Sequence, residues 1–349
     1  MTTPDQRPQS ANPQVNDSVS PARAGFGSRL RSAIQGVEQA FRGRRPADSH
    51  PREDGPEADA AIAGDEHESA PPELVPAPAF VAAVAIEPSA PTRLTVSEEV
   101  VAYKLTSVRA LNIHVVRPAG TDPASGRPCL LFFHGGGWRR GSAQQFLPYC
   151  RLLAQRGIVG MSAEYRLLDG EEDEIPVDAV ADARSAMRWV RQNARRFGCD
   201  PARIGAGGGS SGAHLAVMTA MKSSVDDVAD DLGVDPRPAA LVLMNPPCNF
   251  DGYASAVPIA ARRLYSPYHL VDDSLPPTLM LHGTADKVIP FSQITDFQER
   301  ARSVGVKQLK VVPFEGRGHG FFNRGKGEPG DFMRSAQEMG GFLRGLGWL

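Results

Sequence analysis

Ile204-Gly-Ala-Gly-Gly-Gly-Ser210-Ser-Gly-Ala-His-Leu215 contains one Gly-x-Ser-x-Gly, residues 208–212. The preceding Asp200-Pro201-Ala202-Arg203 reads as a turn into a short strand. Residues 213–221 are good helix formers with apolar positions at helical spacing. Ser210 therefore falls on a strand-turn-helix corner. Glycines two residues before and after the serine suit such a corner, where backbone segments pass too close for a Cβ. Gly207, Gly209 and Gly212 also satisfy Gly-x-Gly-x-x-Gly, the dinucleotide fingerprint. That alternative requires an acidic residue ending a second strand about 20 residues on. Asp226, Asp227, Asp230 and Asp231 lie instead in a polar stretch. Taken alone, the corner leaves a nucleophile, a cofactor turn and a plain tight turn all open.

The surrounding chain decides between them. Upstream, the apolar run Cys129-Leu-Leu-Phe-Phe133 reads as a buried strand and ends in His134-Gly-Gly-Gly-Trp138. Glycines at a strand end let backbone N–H groups turn toward a developing negative charge. Downstream, Thr278-Leu-Met-Leu281 leads into His282-Gly-Thr-Ala-Asp286, and Leu309-Lys-Val-Val-Pro313 into Glu315-Gly-Arg-Gly-His319-Gly-Phe-Phe322. A serine hydroxyl is a weak nucleophile unless a neighbouring base takes its proton. Ser210 is thus the candidate nucleophile, Asp286 the acid and His319 the base. Gly136, Gly137 and Ser211 are the candidate oxyanion donors. An oxyanion loop followed by nucleophile, acid and histidine is the chain order of an α/β-hydrolase.

These segments, with Glu164-Tyr165-Arg166 and the run 176–215, resemble the hormone-sensitive-lipase-like esterases, and most of all their bacterial acetyl-esterase and acetyl-xylan-esterase-like members. The resemblance covers roughly residues 98–349. It departs at the nucleophile, where the family often has Gly-Asp-Ser-Ala-Gly-Gly and this chain has Gly208-Gly209-Ser210-Ser211-Gly212-Ala213. The resemblance implies a serine carboxylesterase for short, acetyl-like esters, working through an acyl-enzyme without a cofactor. Lactonase and transacylase chemistry would use the same residues. A peptidase, or a non-catalytic receptor on the same fold, is a further alternative.

The fold expected for residues 93–349 is a mostly parallel central sheet with helices on both faces, because strand and helix patterns alternate. It opens with an antiparallel hairpin, residues 100–105 and 110–116. Helices are expected over 144–155, 177–197, 291–304 and 331–346. Asp178 and Asp182 suit the first turns of the second helix, where the macrodipole favours acids. Between the strand at 240–244 and the one at 278–281 there is room for one or two helices and no lid domain. An open site of that kind fits short acyl groups on a larger alcohol, including a carbohydrate. Trp138, Asn245 and Tyr268 are the candidate substrate contacts, with Asn249, Tyr253, Tyr265 and His269 also available. Glu164 and Arg166 read as structural braces, and His134 and His282 as structural histidines.

Net charge is −2 in 349 residues, which speaks against a nucleic-acid partner. The four cysteines are widely spaced, with no Cys-x-x-Cys, and read as free structural thiols rather than disulfides. The eight histidines form no ligand-like cluster, so no metal is expected. Residues 1–92 hold 13 of the 30 prolines and lack any buried-strand run. That composition predicts a largely disordered N-terminal tail, since little apolar surface is available to offset chain entropy. Phe26, Leu30, Ile34, Val37 and Phe41, flanked by arginines, are spaced for an amphipathic helix over 26–42. It would dock on a membrane surface or a protein, or be a nascent helix without a partner. No secretory or transmembrane pattern is present, so a cytoplasmic location is expected.

Overall fold

The computed structural model describes residues 94–169, 176–223, 225–252 and 258–349. The expected tail, its helix at 26–42 and Tyr253 lie outside the described residues. Eight strands form one sheet: β1 Val96–Leu105, β2 Ala110–Pro118, β3 Arg127–Phe133, β4 Val159–Ala163, β5 Cys199–Gly209, β6 Leu241–Met244, β7 Thr278–Gly283 and β8 Leu309–Phe314. Their order is β1-β2-β4-β3-β5-β6-β7-β8. β2 runs antiparallel to both β1 and β4, and every pairing from β4 to β8 is parallel.

The burial of each strand follows its place in that order. β4, β6 and β7 are buried throughout, as expected of central parallel strands covered on both faces. At the edges β1 and β8 alternate, and β1 carries Glu98, Glu99 and Lys104, charges that discourage edge pairing. Along β3, Leu130 and Phe132 face one layer, with Val242 and Met244 of β6 and Leu279 and Leu281 of β7. That layer is closed by α1, Leu147–Ala154, and α7, Asp331–Gly345, through Tyr149, Leu153, Met339 and Leu343. α2, Val177–Gln192, packs on α3, Ser211–Ala220, and α3 packs on β5 and β6. The remaining helices are α4, Ile259–Arg263, α5, Pro267–Leu270, and α6, Ser292–Ser303.

Three local expectations shift for identifiable reasons. The helix expected over 144–155 begins with a 3₁₀ turn at Ala143–Phe146, and the α-helix proper starts at Leu147 with Pro148 in its first turn. A proline has no N–H to donate and suits only that turn. The helix expected to reach 197 ends at Gln192, followed by a 3₁₀ turn at Ala194–Phe197 that stops at left-handed Gly198. Asp200–Arg203 belongs to β5 rather than to a turn before it. It bulges out of the ladder, because β3 pairs Arg127 with Cys199 and then Cys129 with Ile204. Asp200 closes the bulge by accepting from the Ala202 N–H and the Arg203 Nε.

Charged residues brace the antiparallel end. Glu164 accepts from Arg109 and Asn112, while the fully buried Asp182 takes Arg166 Nε and Nη2 together with Lys104 Nζ at 2.7 Å. Glu164 and Arg166 thus brace different neighbours. Asp182 serves this buried cluster rather than the helix dipole alone. All four cysteines are free and buried. Among the described residues no helix is long and apolar enough to cross a membrane, and no group of three or more His, Cys, Asp or Glu is arranged to hold a metal.

Candidate active site

The candidate residues converge at the carboxyl ends of β3, β5, β6, β7 and β8. Ser210 follows the last residue of β5 with φ 54° and ψ −124°, a region that a side chain enters at a cost of about 1–3 kcal/mol. Its N–H donates to Met244 O at the end of β6 (2.8 Å), which holds the corner against the sheet. The corner is tight on its helical side as well. A Cβ on Gly212 would stand 2.1 Å from Phe133 O and 2.4 Å from His134 O, so the first turn of α3 admits only glycine at this position.

A polar chain runs from Ser210 to Asp286. Ser210 Oγ lies 2.8 Å from His319 Nε2, and His319 Nδ1 lies 2.7 Å from Asp286 Oδ2. The N–H groups of Val288 and Ile289 donate to Asp286 Oδ1 at 2.8 and 2.9 Å. Burial alone would raise the pKa of this carboxyl. The hydrogen bond from His319 and those backbone donors outweigh burial and hold it below the usual carboxylate range. A charged Asp286 facing Nδ1 leaves Nε2 free to accept the Ser210 proton.

The histidine loop is fixed by the aromatic pair that follows it. Phe321 stacks on Phe314 of β8 at 4.2 Å, Phe322 stacks on Phe146 at 6.1 Å, and Tyr149 Oη of α1 donates to Phe322 O. His282 and His134 are buried, and burial lowers the pKa of each. His282 Nε2 meets Ile289 O at 2.9 Å, and His134 stacks on Tyr165 at 4.3 Å. Both rings are held within the core, and His282 Nε2 also lies 3.5 Å from Asp286 Oδ2.

The His134–Trp138 loop lies against the serine corner, since a Cβ on Gly135 would meet Gly209 O at 2.8 Å and Ser210 Cβ at 3.4 Å. Gly136 has φ 128° and Gly137 φ 65°. At Gly136 glycine is obligatory, because besides the positive φ a Cβ would stand 2.0 Å from Arg140 O. Ser211, the first residue of α3, is buried.

The three candidate substrate contacts divide. Trp138, which ends the loop, is half-buried and packs edge-on against His214 (5.2 Å) and at a tilt against Phe250 (5.9 Å). Tyr268 is half-buried on α5, with its N–H donating to Cys248 O. Asn245 differs from both. It is fully buried behind the site, and its Nδ2 donates to Asp286 Oδ2, so it does not face a substrate. Tyr265 is likewise buried.

One contact had no signal in the sequence. Gln145 Oε1 accepts the Gly135 N–H (2.7 Å), while its Nε2 donates to Asn323 Oδ1 (2.7 Å) and Asn323 Nδ2 donates to Gly320 O (2.9 Å). The chain thus links the glycine loop to the residue after His319. Its partners are 178 residues apart, so only the folded sheet edge brings them together.

Similarity to known proteins runs through the same elements. Residues 114–242, which include Ser210, match the BD-FAE family, and residues 249–335, which include Asp286 and His319, match the prolyl oligopeptidase family. Esterase LipC of Mycobacterium tuberculosis (strain ATCC 25618 / H37Rv) is 30% identical over 224 residues, 57% of this chain and 54% of LipC. The chain therefore spans about half the length of that relative. Esterase 2 of Thermogutta terrifontis, solved phosphorylated by paraoxon, superposes with a TM-score of 0.67 at 38% identity, over 72% of this chain and 95% of that one. The chain belongs to the hormone-sensitive-lipase-like esterases of the α/β-hydrolase fold. The same Thermogutta esterase with butyrate bound gives a TM-score of 0.66 at 38% identity, over 72% and 95% of the two chains. These esterases are carboxylic ester hydrolases, and here Ser210, Asp286 and His319 follow β5, β7 and β8, with β6 between the strand of the serine and the other two.

Proposed function

We propose that this esterase hydrolyses esters of short, acetyl-like acids through an acyl-enzyme on Ser210, with His319 as general base and Asp286 as the acid that orients it. As Ser210 Oγ bonds to the substrate carbonyl carbon, its proton passes to His319 Nε2. The imidazolium then returns that proton to the departing alcohol. Water, deprotonated by His319, attacks the acyl carbon and releases the acid with Ser210 restored. Asp286 fixes the Nδ1–H tautomer and stabilises the transient cation. The tetrahedral oxyanion is bound by the N–H groups of Gly136, Gly137 and Ser211 at the positive end of α3, each such donor typically contributing about 10²–10³ in rate.

The reading is carried by one observation: the unbroken contact from Ser210 Oγ through His319 to Asp286, at 2.8 and 2.7 Å, built on a strained serine. The short-chain preference draws on two others. Among the described residues, only the short helices α4 and α5 stand between β6 and β7. The Thermogutta esterase has been solved with butyrate and with propionate bound.

Stopped-flow release of nitrophenol from nitrophenyl acetate tests the mechanism. A burst equal to the enzyme concentration is expected, and Ser210→Ala should lower kcat by at least about 10⁴-fold with an unchanged fold. Paraoxon should inactivate the wild type at one equivalent, with its added mass on the Ser210 peptide. Across nitrophenyl esters, kcat/KM should be greatest from acetate to butyrate and fall steeply by decanoate. Full activity in Ser210→Ala would sink the mechanism, and a maximum at long chains would sink the acyl preference.

A further inference from the structure

Asn245 stands between the strand of the serine and the strand of the acid. It follows β6 directly, its N–H donates to Leu281 O of β7 (2.9 Å), and the Ser210 N–H donates to Met244 O one residue before it. The residue is 0% exposed and has φ 50°. Its Nδ2 donates to Asp286 Oδ2, the oxygen that also receives His319 Nδ1–H, and lies 3.5 Å from His319 Nδ1. The amide orientation is dictated by this neighbour, since a carbonyl turned toward Asp286 would set acceptor against acceptor. With Val288 and Ile289 on Oδ1, Asn245 completes a carboxylate held by a donor beyond His319 at both oxygens.

We infer that Asn245 is a positioning residue: its amide holds Asp286 Oδ2 in line with His319 Nδ1, and so holds His319 in line with Ser210. The inference deepens the triad reading and rests on it. Without the amide, Oδ2 is free to swing about the axis fixed by the two backbone donors on Oδ1, and the imidazole follows. The loss falls on the step that needs alignment, hence on kcat, because Asn245 is too deep to touch an acyl group.

Asparagine is also one of the few non-glycine residues that tolerate positive φ, so backbone conformation is the competing explanation for its presence. Asn245→Gly separates the two, since glycine takes φ 50° without strain but carries no amide. Kinetics on nitrophenyl acetate should show kcat reduced about tenfold to a hundredfold, the range expected of a small misalignment, with KM little changed. The second arm moves the charge. Asp286→Asn alone should nearly abolish kcat, whereas Asp286→Asn combined with Asn245→Asp places a carboxylate about where Nδ2 stood, 3.5 Å from His319 Nδ1. That double variant should recover at least tenfold over Asp286→Asn. A merely structural residue gives no such recovery.

Thermal melting of each variant establishes that it is folded. Wild-type kcat in folded Asn245→Gly overturns the inference and leaves the triad standing. A folded double variant no better than Asp286→Asn also overturns it. Full activity in Asp286→Asn itself overturns the triad reading, and this inference with it.

Discussion

At the scale of single residues, the site combines groups whose cost to the fold differs with pH. His214, four residues after the nucleophile, is fully buried, with Nε2 on Tyr265 O (2.7 Å) and its ring edge-on to Trp138 and Phe250. Burial pushes its pKa down to about 4, opposed only by the hydrogen bond to Tyr265. An unfolded histidine titrates near 6.5. Above about pH 6.5 both states are neutral and His214 costs nothing. Between about 6.5 and 4 the unfolded chain binds a proton that the fold refuses, so stability falls as pH falls, by about 1.4 kcal/mol per unit. Below about 4 both states are charged and the loss stops growing. His134 and His282 contribute in the same direction. We therefore expect His214→Gln to lose about 2–3 kcal/mol less stability than the wild type between pH 7.5 and pH 4.5. Urea denaturation at the two pH values measures it. Equal losses in both proteins would show that His214 is hydrated or protonated in the fold.

At the scale of elements, the sequence was most readable where one short segment settles its own structure. The apolar runs of β3, β6 and β7, the glycine corner at Ser210 and the order of the motifs are all local patterns, and each element formed where its pattern lay. What escaped was contact between segments. Asn245 read as a substrate contact because nothing local reveals that β6 ends beside Asp286. Gln145 carried no signal, and Asp200–Arg203 looked like a turn because a bulge and a turn share residue preferences. Gln145 predicts a measurable coupling between elements. Gln145→Ala leaves the Gly135 N–H without its acceptor, a loss of about 1–3 kcal/mol for a buried donor, and frees the glycine loop from Asn323. We expect a lower melting temperature and a kcat reduced about tenfold, with KM changed less, because loop position matters most when the oxyanion forms. Wild-type kcat in that variant would show that the loop is held by its own turn, through Gly136 O and the N–H groups of Arg139 and Arg140.

At the scale of the whole molecule, the question is how much of the chain the chemistry requires. Every candidate group, from Gly136 to His319, lies within the compact unit Thr92–Leu349, and so do the sheet and the hydrophobic layer closed by α1 and α7. We propose that residues 93–349 form a self-sufficient esterase domain and that residues 1–92 serve another purpose. A protein beginning near Pro91 should then fold, melt cooperatively and keep its kcat and KM on small soluble esters within about twofold, since every candidate catalytic group lies within Thr92–Leu349. For the amphipathic pattern at 26–42 the expectation is separate. Apolar residues at helical spacing beside several arginines suit an anionic lipid surface, where the buried face and the charges act together. Full-length protein should sediment with vesicles of mixed neutral and anionic lipid, and the truncated protein should stay in the supernatant. Leu30→Glu with Ile34→Glu should abolish sedimentation without altering hydrolysis, because it removes the apolar face and leaves the catalytic unit intact. If the full-length protein never sediments, surface docking fails and the domain boundary stands. If truncation destroys hydrolysis of soluble esters, part of the first 92 residues belongs to the catalytic unit and the boundary fails instead.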